Sequence, residues 1–412
     1  MASLRVELAG LVLIALVPIS AQNTVSLPAP YATPSVFRFP KIIARPDTAK
    51  LRLPQGFVIE EFATGFRRAR FMTLGLGGEI LLADSNAANA KPEGGAVYII
   101  SPTERKTLVS HLDRPYGLAF WEKYLYIAEA ESIKRYPYDP KLRCVGVGQE
   151  VLSLKGLGNF HWTRTLLFDQ RGAKLYLAMG SGSNDTIGED SRRAAISRMN
   201  PDGSGYELFA SGLRNPVGLR WYPGTDVLWA SVQERDSLGD DLVPDFLTHV
   251  DPNGFYGWPY AYIGPHPDPI NSGVNLAEHL LRHPQAVEQA PKIPSLVAST
   301  IAPDVILGGH VAVLDFTFYE GHQFPEEYRG GAFLAFHGST NRSKYVGYSV
   351  AFIPFKNGKP AGPPREFLTG WMLSPDNDEV WGRPVGLLEL PDGSLLVSDD
   401  AGNKVWRIRY AK

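Results

Sequence analysis

The sequence predicts an all-β protein, and specifically a six-bladed β-propeller whose blades are four-stranded antiparallel sheets. One strand–turn–strand pattern recurs six times along the 412 residues. The first four copies are separated by about 45–55 residues, which is close to the length of one propeller blade. Glycine and proline, which mark turns, are abundant at 41 and 33 residues. These three observations together favour a propeller over other all-β folds.

Each copy consists of a short apolar strand, a turn with Gly or Asp, and a second strand that ends in small or acidic residues. Runs this short, bounded by turn residues, are typical of strands and not of helices. A β-sandwich with similar hairpins is the alternative, and the regular spacing argues against it. The last two gaps are longer, which predicts insertions near residues 245–300 and 320–375. The copies are 71–74 with 80–84, 117–120 with 125–129, 166–169 with 175–179, 217–221 with 227–231, 314–318 with 332–336, and 385–390 with 394–399.

A propeller must also close its ring of blades. The segment Phe57–Phe62 is strand-like and precedes the first copy, whereas Val405–Arg409 follows the last copy. Pairing these two segments would complete the sixth blade and remove an exposed strand edge, which otherwise invites aggregation. We therefore expect the two ends of the propeller to meet in one sheet.

The first 21 residues have the pattern of a secretory signal peptide. Arg5 supplies the positive charge, residues 8–17 are apolar, and small residues follow. The apolar run is shorter than the ~20 residues that a membrane-spanning helix needs. We therefore expect a periplasmic or secreted protein without a membrane span after cleavage. Residues 22–48 would be a linker or extended arm, and residues 49–412 the propeller.

Composition and motifs exclude several classes of function. The formal net charge is −2 and no basic stripe is present, which argues against nucleic acid as a partner. A single cysteine rules out an intramolecular disulfide. The chain has no Gly-x-Ser-x-Gly elbow, no phosphate-binding glycine loop and no His-Glu-x-x-His helix.

Several polar residues stand at the starts of the hairpins, in equivalent places of different copies. His161 and Arg164 precede the third copy, Arg214 and Asn215 the fourth, and Arg383 the sixth. Equivalent positions on different blades converge on the axis, so these residues can meet. One potential base among several guanidinium groups suits an anionic ligand that carries carboxylates. Taken singly, a histidine beside aromatic residues is more often structural than functional, and the arginines could pair with acids between blades.

A loop after the fourth copy, residues 233–241, carries several acidic residues and a glycine. Hard cations bind at loops of this composition. The spacing does not match the EF-hand, however, so a solvated acidic turn is the alternative interpretation.

Motifs in this order resemble those of the glucose/sorbosone dehydrogenase family, whose soluble members bind pyrroloquinoline quinone in a six-bladed propeller. The resemblance covers about residues 50–410. The motifs that carry it are Gly212–Pro216, the 233–241 loop, Tyr256–Pro259, His337–Arg342, and Gly382–Gly386 with Val397–Asp400.

This resemblance implies an oxidoreductase that oxidises a sugar or a related alcohol by hydride transfer to the bound quinone. An external acceptor would then take the electrons. His161 would be the general base, and Arg214 would face the reactive carbonyl of the quinone. Calcium would lie on the cofactor, held by the backbone carbonyls of Glu234 and Arg235. The cofactor-binding residues would be Arg164, Arg214, Asn215, Asn341, Arg342 and Arg383.

Three positions depart from the family pattern. Val385 stands where the family's glucose enzyme has a second arginine, Glu234-Arg235 replaces Gly-Pro, and residues 308–314 follow the pattern only loosely. Two other functions therefore stay open, namely a binding propeller without cofactor and a calcium-dependent lactonase or esterase. A hydrolase of this kind would need a cage of acidic side chains at the axis, whereas the candidate site residues near the axis here are mainly cationic.

Overall fold

The computed structural model describes residues 26–86, 94–272 and 284–411. Their strands form six large antiparallel sheets, which confirms the predicted six-bladed propeller. The predicted signal peptide, residues 1–21, lies outside the described residues. Within the three described ranges, none of the helices combines the length and the apolar character that a membrane crossing requires.

Every predicted hairpin forms the first two strands of a blade, and the first strand is the one nearest the axis. The first three blades contain Ala69–Leu74, Ile80–Asp84, Gly95–Ile100 and Arg105–Leu112; Leu118–Trp121, Tyr124–Ala128, Ser132–Asp139, Cys144–Val145 and Gln149–Ser153; and Arg164–Phe168, Leu175–Met179, Ala195–Met199 and Glu207–Ser211. The last three contain Asn215–Trp221, Leu228–Gln233, Pro244–His249 and Val305–Gly309; Val313–Phe318, Ala332–Phe336, Ser349–Ile353 and Arg365–Leu368; and Pro384–Glu389, Leu395–Asp399, Lys404–Tyr410 and Phe57–Thr64.

The second blade differs from the other five because its outer position is divided between two strands. Cys144–Val145 and Gln149–Ser153 both pair with Ser132–Asp139. The segment between them contains Gly146 and Gly148, and glycine weakens the interior of a strand. The interruption therefore follows from the local sequence.

The ring closes as predicted, through the amino-terminal strand. Phe57–Thr64 pairs antiparallel with Lys404–Tyr410 in the sixth blade. The ring of Phe57 also packs edge-on against Phe324 at 4.8 Å and Phe367 at 4.9 Å. The closing strand is thus held by backbone hydrogen bonds and by aromatic contacts with the fifth blade.

The innermost strands of neighbouring blades approach closely, and the sixth contacts the first. A Cβ atom at Gly117 would lie 2.3 Å from the carbonyl oxygen of Arg164, and one at Gly386 would lie 2.5 Å from that of Arg70. Only glycine permits this backbone approach. The Gly-Leu pairs that recur in the sequence therefore mark the contacts between blades.

Two blades carry insertions in the regions where the sequence predicts them. The fourth blade has one between its third and fourth strands, and the fifth has two further short elements. The insertion of the fourth blade contains the strand pair Ala261–Tyr262 and His266–Pro267, the 3-10 helix Pro284–Lys292 and the α-helix Ile293–Ala298. The elements of the fifth blade are the 3-10 helix Glu326–Tyr328 and the hairpin Phe355–Lys356 with Lys359–Pro360.

The described part of the amino-terminal segment, residues 26–48, runs along loops of the fourth and fifth blades. The backbone N–H of Asp240 donates to Thr33 Oγ1 at 2.7 Å, and that of Arg38 donates to the Thr340 carbonyl at 2.8 Å. Farther on, Lys41–Ile42 pairs in parallel with Glu379–Val380. The segment is therefore an arm that is hydrogen-bonded to loops of the fourth and fifth blades.

Candidate active site

A cavity of about 160 Å³ lies between loops of the third, fourth and fifth blades. His161 and Arg214, which the sequence predicts to converge, both line it. Two apolar residues are part of the wall, and the remaining residues are polar or charged. The lining residues are Phe160, His161, Arg214, Gln233, Glu234, Asp236, Asp245, His310, Ala312, Thr340 and Asn341.

The hydrogen bonds of His161 specify its tautomer. Nδ1 lies 3.0 Å from the backbone oxygen of Ser181 and 3.0 Å from Ser181 Oγ. Ser181 Oγ donates its own hydrogen to the Ser183 carbonyl at 2.5 Å, so it can only accept from the imidazole. Both partners of Nδ1 are therefore acceptors, and Nδ1 carries the hydrogen. In a neutral imidazole, Nε2 is then the unprotonated nitrogen.

Two effects keep this imidazole neutral. Burial of the ring lowers the pKa of His161 well below its usual range, and the positive charge of Arg214 lowers it further, while the Ser181 carbonyl opposes them in part. A neutral ring with a free Nε2 can accept a proton at neutral pH. The geometry thus suits a general base.

Arg164 supports this histidine from behind the cavity wall. It is fully buried, and its Nη1 donates to the carbonyl oxygens of His161 at 2.6 Å and Thr163 at 2.9 Å. Burial lowers its pKa to about 9. Arg164 is not among the residues that line the cavity, so in this structure it holds the backbone that carries His161.

Arg214 is held in place by four hydrogen bonds. Nη1 donates to the Glu234 carbonyl at 2.6 Å, and Nε donates to the Asn184 carbonyl at 3.2 Å. Nη2 donates to Asn184 Oδ1 at 2.9 Å and to Asp236 Oδ2 at 3.3 Å. A guanidinium group has five N–H donors, so one hydrogen on Nη1 is left for a ligand.

His310, which the sequence analysis does not single out, completes a charged network with Asp236 and Arg214. Its Nδ1 lies 3.2 Å from Asp236 Oδ1 and its Nε2 lies 2.9 Å from the Gly239 carbonyl. Burial opposes ionisation, yet these acceptors raise the pKa of His310. Burial also opposes the ionised form of Asp236, but His310, Arg214 and Asn341 lower its pKa to about 2. The network therefore holds a carboxylate between two cations.

Two further carboxyl groups on the wall retain their protons to unusually high pH. Burial raises the pKa of Glu234 to about 8, with Arg214 acting in the opposite direction. Burial likewise raises the pKa of Asp245 to about 6, although Asp245 accepts from the backbone N–H groups of Glu234 and Val313 at 3.0 and 3.1 Å. Glu234 Oε1 is buried and has no hydrogen-bond partner within the described part of the chain, so the wall contains an acid oxygen that can accept from a ligand.

The backbone oxygens predicted to hold calcium are already engaged. The Glu234 carbonyl accepts from Arg214, and the Arg235 carbonyl lies 3.5 Å from the Val243 amide nitrogen. The Arg235 side chain is turned away, since it pairs with Asp268 at 2.6 Å and with an aspartate of the third blade. Among residues 26–86, 94–272 and 284–411, no group of three or more His, Cys, Asp or Glu side chains is arranged to hold a metal ion. A cation at the Glu234 carbonyl would therefore lie next to the positively charged Arg214, which donates to the same oxygen.

Arg383 is not among the residues that line the cavity, and it lies in a second cluster of charges. Its Nη2 donates to the Gly338 carbonyl at 2.8 Å. Arg70 and Arg68 pair with Asp400 at 2.5 and 3.1 Å, and the charges of all three residues act on Arg383. Two of the three guanidinium groups thus pair with the same carboxylate, while that of Arg383 donates to backbone carbonyls. The cluster favours an anionic group.

The remaining predicted cofactor contacts fall in different places. Asn341 lines the cavity and hydrogen-bonds to Asp236. Asn215 has a buried Oδ1 that finds no partner among the residues described by the structure. Arg342 pairs with Asp241 at 2.6 Å, so its guanidinium group is directed to the acidic loop. A cofactor role for these three residues stays a prediction.

Comparisons with known proteins agree with the propeller. The chain is 28% identical over 389 residues to a protein of Borreliella burgdorferi described as uncharacterized, covering 90% of this chain and 94% of that one. It is 23% identical to a pyrroloquinoline quinone-dependent pyranose dehydrogenase of Coprinopsis cinerea, covering 87% of this chain. The aligned region spans 54% of the fungal enzyme, so this chain corresponds to about half of it.

The fold of this chain is also similar to those of solved structures. A Trichoderma reesei structure of Carbohydrate-Active Enzymes Family AA12 has a TM-score of 0.69 at 20% identity, and covers 90% of this chain and 100% of its own. The holo form of the pyranose dehydrogenase PQQ domain from Coprinopsis cinerea has a TM-score of 0.68 at 18% identity, with 91% and 100% coverage. The sequence profile of the TrAA12-like family matches residues 51–411, which is most of the propeller. The chain belongs to the TrAA12-like family.

Proposed function

We propose that this chain oxidises a pyranose sugar and transfers the electrons to bound pyrroloquinoline quinone. The observation that carries the proposal is a neutral His161 with a free Nε2, on the wall of a polar cavity and next to the cationic Arg214. The similarity to the fungal quinone-dependent pyranose dehydrogenase supports the same chemistry.

The donor set fits an anionic planar cofactor. Arginine pairs with carboxylates in a planar, bidentate geometry. Arg214 is on the cavity wall, and Arg383 donates to the carbonyl of Gly338, two residues before Thr340 of the wall. Arg70, in the same cluster as Arg383, has a buried Nε without a partner. We assign Arg214, Asn215 and Arg383 to cofactor binding. The other proposed contacts are Arg164, Asn341 and Arg342.

The residues of this chain would handle the proton. His161 Nε2 takes the proton of the reacting sugar hydroxyl, while Nδ1 keeps its hydrogen bonds to Ser181 and so stabilises the imidazolium that forms. The ion pairs of Asp236 with His310 and Arg214 hold the Arg214 charge in a fixed position. Pyrroloquinoline quinone, when bound, supplies the two-electron acceptor for the hydride that leaves the sugar carbon.

The finer parts of this function are also proposals. They are an external electron acceptor, a periplasmic or secreted location, and calcium near Glu234 and Arg235. The Glu234 carbonyl accepts a hydrogen bond from Arg214, so a bound calcium ion would share this oxygen with a guanidinium group. Titration of calcium into the protein, with and without the quinone, tests this part separately.

Reconstitution tests the proposal directly. Purified protein is mixed with pyrroloquinoline quinone, with and without calcium, and the absorbance of the bound quinone is recorded. A panel of aldoses is then added, and we expect the ring-form substrate to bleach that absorbance. Failure of the protein to bind the quinone, or of every aldose to bleach it, would reject the proposed function.

A further inference from the structure

The residue before His161 is an exposed aromatic side chain at the cavity. Phe160 is 54% exposed and lines the same cavity as His161. Its ring lies 4.6 Å from the imidazole, at an interplanar angle of 64°. Phe160 is therefore in direct contact with the base and still presents much of its surface to solvent.

The position of Phe160 distinguishes it from other exposed aromatic residues. Single exposed apolar side chains are ordinary on protein surfaces and need no special explanation. Phe37 and Phe39 of the amino-terminal arm are 63% and 73% exposed, yet neither is a cavity residue. Apart from Phe160, the only apolar residue in the cavity lining is Ala312. One aromatic ring thus stands against a polar wall.

The surfaces of a pyranose ring complement such a site. Its C–H groups form an apolar face, and its hydroxyl groups form a polar edge. The π face of an aromatic ring carries partial negative charge and attracts C–H groups, which carry partial positive charge. A ring stacked on Phe160 would direct its hydroxyl edge to the polar wall, where His161, Gln233 and Asn341 offer hydrogen-bonding groups.

We propose that Phe160 is the stacking platform for a pyranose substrate and that it selects ring-form sugars over open-chain polyols. An open-chain polyol has no continuous C–H face, so it gains little from the aromatic ring. This inference rests on the proposed sugar oxidation, since it names the residue that recognises the sugar at the same site.

Direct binding tests the platform without any turnover. The probes are anhydroglucitol, a pyranose that lacks the anomeric hydroxyl, and sorbitol, an open-chain polyol. Affinities are measured by NMR titration for the wild type, Phe160→Leu and Phe160→Tyr, with Phe39→Leu as the matched control. Leucine retains apolar bulk and removes the ring, and tyrosine retains the ring.

We expect Phe160→Leu to weaken anhydroglucitol binding by about three- to tenfold, the usual worth of an aromatic contact beyond its buried area. The upfield ring-current shift of the sugar C–H protons should disappear in the same variant. Phe160→Tyr and the control should bind like the wild type, and sorbitol affinity should not change.

Equal affinity of the wild type and Phe160→Leu for anhydroglucitol would overturn the inference. So would an equal loss for sorbitol, or an absence of anhydroglucitol binding by the wild type. Failure of the proposed function is a different result: the protein would bind the pyranose on Phe160, and no aldose would bleach the quinone.

Discussion

Replacing His161 with alanine removes the imidazole that we assign as the proton acceptor. General-base catalysis contributes about 10²–10⁴ to the rate, so kcat of the quinone-loaded variant should fall by that factor. Quinone binding should change little, because the proposed anchors are the guanidinium groups of Arg214 and Arg383. The hydrogen bonds of Arg214 involve Asn184, Glu234 and Asp236, and none of them involves His161.

The expected loss of stability is small and follows from the contacts of the ring. His161 bonds to Ser181 through one N–H, and a hydrogen bond of this kind contributes about 0.5–1.5 kcal/mol. The Ser181 carbonyl also accepts from Arg193, so the substitution does not leave it unpaired. For a chain of 412 residues, a loss of this size lowers the apparent Tm by only about 2 °C.

The assay compares kcat, quinone absorbance and apparent Tm for the wild type, His161→Ala and the control His322→Ala. His322 is an exposed histidine of the fifth blade, so its removal should leave all three quantities unchanged. A structural histidine predicts the opposite pattern for His161→Ala, with a large fall in Tm and full turnover per folded molecule. Unchanged kcat in a folded, quinone-loaded His161→Ala variant would refute the assignment.

Three further predictions concern pH, cofactor retention and blade packing. Because burial holds the pKa of His161 well below its usual value of about 6.5, kcat should stay constant as pH falls through 7 to 6, and a loss of activity centred at about 6.5 would contradict this. Arg383→Met should weaken quinone binding by about 10- to 100-fold, since it removes a charge-assisted hydrogen bond. Equilibrium dialysis measures this affinity, with the exposed Arg365→Met as the control. Equal quinone retention by the two variants would exclude Arg383 as an anchor. Gly386→Ala places a Cβ 2.5 Å from a backbone oxygen of the first blade and should lower the free energy of unfolding by about 1–3 kcal/mol. Denaturant unfolding measures this loss. Gly146→Ala, in which the closest contact of the Cβ is 3.4 Å, should leave the free energy of unfolding nearly unchanged.

Local patterns were sufficient to predict the blades. Each hairpin is encoded by two short apolar runs and a turn, and the spacing of the copies then yields the number of blades. The strand Phe57–Thr64 was predictable because an unpaired edge is unfavourable and the last copy lacked a partner. The divided outer strand of the second blade was missed, because short segments around Gly146 resemble an ordinary turn.

The main residues of the site could be predicted from the sequence, but the contacts between them could not. His161 and Arg214 stand at equivalent places in the repeat, so propeller symmetry brings them together. Asp245 lines the same cavity without standing at the start of a hairpin, whereas His310 precedes the first strand of the fifth blade just as His161 precedes that of the third. This equivalent place in the repeat was the sequence signal that could have identified His310.

Sequence periodicity thus accounts for the architecture and for the residue types at the inner ends of the blades, because both depend on neighbours along the chain. The tertiary structure decides how those residues are charged and what they bind. Ser181 leaves His161 with a free Nε2, and the Glu234 carbonyl accepts a hydrogen bond from Arg214. Such partners lie 20 residues apart in sequence, on adjacent strands of one blade or on its connecting loops. Tautomer, ionisation and ligand occupancy depend on distances of a few ångströms between them, and no pattern along the chain encodes those distances.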